Sequence, residues 1–215
     1  MIYRRPVAVA LAAAVAAFGA AASLSHAYPQ PSKSPVSWEL KFDYQAPMRV
    51  VVEVPGSPTP KAYWYMTYSV INNTDSAVNF LPTFEWVSRS GSVTKSDQNV
   101  PDAVFQKIKA KTGNKLLENN VQIQGLLRTG EDQAKDGVAI WPESDPRLGD
   151  FSIFVTGLSG ESVQMTDSAG KPMNDKDGKP ILLFKTLEID YKLAGDEVYP
   201  GNDLLTKIGD RWVMR

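Results

Sequence analysis

Between residues 38 and 71 apolar and polar side chains alternate with a period of two, and no other feature constrains the fold as tightly. Trp38, Leu40, Phe42 and Tyr44 alternate with Glu39, Lys41, Asp43 and Gln45. Met48, Val50, Val52 and Val54 repeat the pattern, with Arg49 and Glu53 opposed. Successive side chains of a strand point to opposite faces, so each run predicts a strand buried on one side. The turn from Pro55 to Pro60 ends the second run. Residues 62–71 differ. Ala62, Trp64, Met66, Tyr68 and Val70 share one face, and Tyr63, Tyr65, Thr67 and Ser69 share the other. Either both faces of a central strand are covered, or Tyr63 and Tyr65 form an exposed aromatic platform with about 7 Å between them.

The same arithmetic continues down the chain. Asn72 to Ser76 is a turn cluster whose side chains can cap backbone amides. Phe80, Phe84 and Trp86 face inward, with Pro82 marking an edge or bulge. Ser88 to Gln98 is polar and predicts a loop. Val121, Ile123 and Leu127 predict a further strand, as do Val138 to Trp141, Phe151 to Val155, and Leu187 to Leu193. Trp212-Val213-Met214 predicts a docked C-terminus. One helix interrupts. Pro101 and Asp102 suit a first turn, Val104, Phe105 and Ile108 make a short stripe, Lys107, Lys109 and Lys111 fall late, and Gly113 can close it. About nine short strands and one short helix predict a mainly β chain, an antiparallel immunoglobulin-like β-sandwich. A parallel sheet would need helical crossovers, and the pattern provides none.

The N-terminus predicts export. Arg4 and Arg5 precede an Ala-rich apolar run from Val7 to Leu24, and Ser25-His26-Ala27 places small residues before a cleavage site at Ala27. The alternative is an uncleaved anchor, though alanine is only weakly hydrophobic. The layout predicts a signal peptide over 1–27, a Pro/Ser-rich tether over 28–36 and a single domain over 37–215, with no stable membrane span after cleavage and a periplasmic, envelope or extracellular address. Cleavage removes the only His of a chain that has no Cys. Disulfides, thiol nucleophiles, Cys/His zinc sites and His-based triads are thereby excluded. The net charge of −1, without any long basic run, argues against nucleic acid. No motif calls for a nucleotide or other cofactor.

Few motifs carry chemistry. Asp175 and Asp177 before Gly178 suggest a weak calcium loop, but Met173 and Phe184 occupy its first and twelfth ligand positions. Asp167 to Pro172 and Asp175 to Pro180 are near repeats ending in Gly-Lys-Pro, which reads better as a hairpin arm with tight turns. Ser92-Val-Thr-Lys95 matches a penicillin-recognising pattern without its companion motifs, and Gly157-Leu-Ser-Gly160 is a turn, not a nucleophile elbow. Glu85, Asp132, Glu143 and Asp145 are candidates for a carboxylate hydrolase, with no spacing that singles out a pair.

The run from Ala62 to Thr74, Leu126 to Glu131 before Gly137 to Trp141, Phe151 to Val155, Gly157 to Glu161 and the terminal Arg211 to Arg215 resembles a group of uncharacterised exported proteins of planctomycete-like bacteria. The resemblance covers residues 38–215 and implies an immunoglobulin-like domain with an envelope address. It carries over no catalytic or binding residues. The Cys pair of antibody domains is missing. The expected function is a secreted, non-enzymatic binding or structural protein whose partner is an envelope protein or polysaccharide. The alternatives are a carbohydrate-binding module using Tyr63 and Tyr65, and a His-free hydrolase.

Overall fold

The computed structural model describes residues 28–143, 149–193 and 205–215. The expected leader with its Ala27 site, and Asp145, lie outside the described residues. The described chain is mainly β. Its strands are β1 (Lys41–Tyr44), β2 (Met48–Val52), β3 (Lys61–Ile71), β4 (Val78–Phe80), β5 (Thr83–Ser88), β6 (Val93–Lys95), β7 (Gly125–Leu127), β8 (Lys135–Pro142), β9 (Phe151–Thr156), β10 (Ser162–Gln164), β11 (Leu182–Leu193) and β12 (Leu205–Met214). Two helices, α1 (Asp102–Thr112) and α2 (Asn120–Ile123), fall between β6 and β7.

All the strand pairs are antiparallel. β3 is the spine of the first sheet. β2 pairs with its first half and β1 with its second, while β8 runs along its other edge. The Gln45 N–H donates to the Thr67 carbonyl at 3.0 Å, so β1 and β2 act as one interrupted strand. The second sheet runs β6-β5-β9-β11, with β10 continuing along the β9 edge of β11 and β12 on its far edge.

Trp64, Met66, Tyr68 and Val70 of β3 meet Phe84, Trp86, Ile153, Val155, Ile189 and Tyr191 of the second sheet in one core. Aromatic rings form a band through it. Trp86 stacks on Phe151 with ring centroids 3.7 Å apart, Phe151 stacks on Tyr191 at 5.2 Å, and Trp64 lies 5.9 Å from Trp86. Burying rings of this size is the largest apolar contribution available to such a chain, and offset or tilted pairs add about 0.5–1.5 kcal/mol each. The outer face of β3 is covered as well. Tyr63 and Tyr65 share a second core with Val50, Val52, Val138 and Ile140, closed by Val104, Phe105 and Ile108 of α1. Three layers result: helix, sheet, sheet.

α1 forms as its sequence predicts. Gly113 takes a left-handed conformation at φ 69° and its N–H donates to the Lys109 carbonyl, which ends the helix. The strand expected through Val121 is instead the one-turn α2. Asn119 accepts from the N–H groups of Val121 and Gln122, and the Gln122 side chain caps Asn119 in return. That capping box outweighs the alternation, and Val121 stands 81% exposed while Ile123 is fully buried. The polar stretch 88–98 is not all loop, because β6 pairs with β5 there.

The segment 28–36 is held at Ser32. Its N–H donates to Glu161 Oε1 at 2.8 Å, and its carbonyl accepts from Lys185 Nζ at 3.2 Å. Lys185 is 2% exposed and also pairs with Glu39 at 2.8 Å. The turn 157–161 builds this clamp. Gly157 has φ 91°, and a side chain on Gly160 would collide with the Trp38 indole.

Candidate functional site

The α1 cover is shorter than the sheet. Beyond Thr112 the chain turns at Gly113 and returns over β8 through Leu117. A cleft of about 310 Å³ is left between that turn and the outer face of β1, β3 and β8. Such a volume sits at the lower bound for small-ligand sites.

The register of the sheet places the cleft floor. Ser69 of β3 lies directly opposite Asp43 of β1 on one side and Asp136 of β8 on the other. The three side chains stand in one row on one face, because paired residues of neighbouring strands point the same way. Thr67, two residues earlier, belongs to the next row on that face, beside Gln45. The wall is Thr112, Asn114 and Leu117. Asn114 Oδ1 accepts from the Leu116 N–H at 2.9 Å, which holds the side chain, and Nδ2 donates to Asp136 Oδ2 at 2.7 Å. Lys109 Nζ donates to the Leu117 carbonyl at 2.8 Å and ties the wall to the helix. Asp43 has an exposed contact with Lys41 at 3.5 Å. The Thr67 and Ser69 hydroxyls form no hydrogen bond with the described residues. The cleft is therefore lined by hydroxyls, amides and two carboxylates, one paired with Lys41 and one hydrogen-bonded to Asn114, beside Tyr44, Tyr68 and Leu117, with no aromatic face built from Tyr63 or Tyr65.

Those two tyrosines are corrected from a platform to core. Tyr63 is 3% exposed and Tyr65 fully buried, beneath α1. Burial raises both phenols above their ordinary range. A ring in that position has no face left for a sugar. Asp175 Oδ1 accepts from the N–H groups of Asp177 and Lys179, and Asp167 Oδ1 does the same for Ala169 and Lys171. Both are side-chain-capped turns of one kind. No group of three metal-ligating side chains occurs among the described residues.

The hydrolase candidates are not brought together. Glu143 receives two bonds from Arg49, at 2.6 and 2.7 Å, and a third from Trp64 Nε1. Glu85 lies between Lys95 at 3.7 Å and Arg215 at 2.9 Å on the second sheet. Asp132 is exposed in the short turn Glu131–Gln133. Lys95, from the Ser92 pattern, is thus spent on Glu85.

A second polar group is buried at the edge of β8. The Asp97 N–H donates to the Ile140 carbonyl at 2.7 Å, while Asp97 Oδ2 and the Tyr68 hydroxyl have no hydrogen-bond partner. Burial pushes Asp97 up to about 6. Burial and the charges of Asp97 and Glu118 push the Tyr68 phenol far above its usual range. The Tyr68 ring passes over Gly137, where a side chain would meet it at 2.4 Å.

Sequence reasoning missed the row Asp43, Ser69, Asp136. The one available signal is on β3 itself, where the outer face changes from Tyr63 and Tyr65 to Thr67 and Ser69. That change marks where the helix cover stops.

No family model, curated protein or solved structure matches the chain.

Proposed function

We propose that the protein is an exported, non-enzymatic binding module of the cell envelope, of immunoglobulin-like build, that takes its ligand in the cleft over Thr67 and Ser69. The observation that carries the proposal is the cleft floor. Side chains with unused hydrogen-bonding capacity sit on a rigid central strand, and the neighbouring wall is braced by Asn114 and Lys109. Hydrogen-bonding groups on a regular strand are pre-organised, which lowers the ordering cost of binding. The arginine pairing of Glu85 and Glu143 favours structural roles for them over acid–base work.

The test is equilibrium binding of residues 28–215 to fractionated envelope polymers, with Thr67→Trp as the variant that fills the cleft. A polymer bound by the parent protein and lost by at least tenfold in the variant, at equal thermal stability, is the expected result. Equal binding by both proteins would refute the site.

A further inference from the structure

We propose that the face made by α1 and the turn after it docks on an anionic lipid surface. The docking is independent of what the cleft binds.

Between Ala103 and Leu117 the chain places four lysines, Lys107, Lys109, Lys111 and Lys115, and no acidic residue, in a protein whose net charge is −1. Among the described residues none of the four is paired with a carboxylate. The acidic groups at the two ends are engaged. Asp102 accepts from Gln106 Nε2 at 3.2 Å, and Glu118 pairs with Lys135 at 3.7 Å. The helix dipole accounts for Lys109 and Lys111, which stand in the last turn. It does not account for Lys107 in the middle of the helix, or for Lys115 beyond Gly113. Lys107 and Lys111 are four residues apart and share a flank, where like charges weaken a helix. Val104, Phe105 and Ile108 point at the sheet, so the lysines border an outward ridge of Ala103, Gln106 and Ala110. Small side chains on that ridge let a flat surface come close. Lys109 holds the Leu117 carbonyl and Lys111 lies 5.8 Å over the Tyr65 ring, and both contacts leave the ammonium charged.

The same segment displays apolar side chains. Leu116, next to Lys115, is 78% exposed and Val121 is 81% exposed, more than any other large hydrophobic residue among those described. Leu117 is buried in the core beneath α1, while Leu116 points to solvent. The bond from the Leu116 N–H to Asn114 Oδ1 fixes the backbone that presents it. Unpaired lysines around an exposed leucine fit a bilayer. Its phosphate headgroups take the ammonium groups, and its acyl boundary takes the leucine and the lysine stems. A soluble acidic polymer would satisfy the lysines and leave the leucine in water. Each lysine held at an anionic lipid surface strengthens binding about fivefold.

The experiment measures co-sedimentation with vesicles of phosphatidylcholine, alone or mixed in equal parts with phosphatidylglycerol. It uses residues 28–215, which hold every contact described above, because the apolar run from Val7 to Leu24 would itself enter lipid. The variants are a triple change, Lys107→Gln with Lys111→Gln and Lys115→Gln, the single change Leu116→Ser, and a control that removes as many charges from the exposed arm, Lys171→Gln with Lys176→Gln and Lys179→Gln. Equal melting temperatures establish that each variant is folded. The expected result is binding to the anionic vesicles at least tenfold tighter than to the neutral ones, weakened by raised salt. The triple change should cost at least tenfold, Leu116→Ser should cost severalfold, and the arm control should bind as the parent does. Absence of binding to anionic vesicles would overturn the proposal. So would equal losses in the helix and arm variants, which would reduce the effect to net charge. Full binding by Leu116→Ser, with soluble polygalacturonate displacing the vesicles, would overturn the lipid assignment in favour of an acidic polymer.

Discussion

Asp97 shows how one residue can carry a pH dependence. Its backbone is left-handed at φ 61° and its carboxyl is buried, which pushes its pKa up to about 6. A raised carboxyl keeps its proton in the folded chain at pH values where the unfolded chain has lost it. The stability associated with Asp97 is therefore greatest at about pH 4 and below, and falls as pH rises through 6. At 1.36 kcal/mol per unit the loss is about 2–3 kcal/mol. Asn tolerates the same backbone region. Asp97→Asn is expected to raise stability by about 2 kcal/mol at pH 8 and to change it little at pH 4, as read by denaturant unfolding at both values. A constant difference across that range would contradict the burial account. Lys185 makes the opposite case. Glu39 and Glu161 surround its ammonium, and Glu161 is held below the usual carboxylate range, chiefly by the Ser32 N–H. Removing one member of a buried ion group leaves charge uncompensated, at about 3–5 kcal/mol. Lys185→Met should lower thermal stability steeply, and adding Glu161→Gln should recover part of the loss. A Lys185→Met protein with unchanged melting would show that the clamp on Ser32 contributes nothing.

At the scale of elements, the sequence was most legible where local and tertiary signals agree. α1 has its opening proline, its apolar stripe and its terminating glycine, and it forms over the expected residues. β1, β2, β3 and β11 follow their period-two runs. α2 was not legible by periodicity, because four residues give too few repeats to separate a period of 2 from 3.6. The Asn119–Gln122 capping box was the usable signal. The two turns at 167–172 and 175–180 were legible as a repeat, and the structure explains their spacing. Met165, Met173 and Ile181, eight residues apart, are linked by backbone bonds in a ring: Met173 N–H to Met165, Ile181 N–H to Met173, and Met165 N–H to Ile181. One eight-residue unit is then removable in register. Deleting residues 173–180 should leave the melting temperature within about 3 °C, since the unit is almost wholly exposed and little core is lost. A drop beyond about 10 °C would mean that the arm supports the sandwich.

Across the whole molecule, the layers decide what the chain can do. α1 seals one end of the outer face of the first sheet and stops short of the other, and the unsealed end holds the cleft. Tyr63 and Tyr65 looked available in the sequence because alternation reveals that two faces exist without revealing what covers each. Thr67 and Ser69, on the same face, are the pair left beyond the helix. Asp43 and Asp136 are 93 positions apart and meet only through strand order, which the pattern of residues does not disclose. The most direct test places a photo-reactive side chain at Gln45, on the cleft rim, or at Ile208, on the far edge of the second sheet, and crosslinks intact cells. The account predicts a reproducible envelope species attached through position 45, lost on adding Thr67→Trp and absent from position 208. The same species captured from both positions, or from position 45 with the cleft filled, would contradict it.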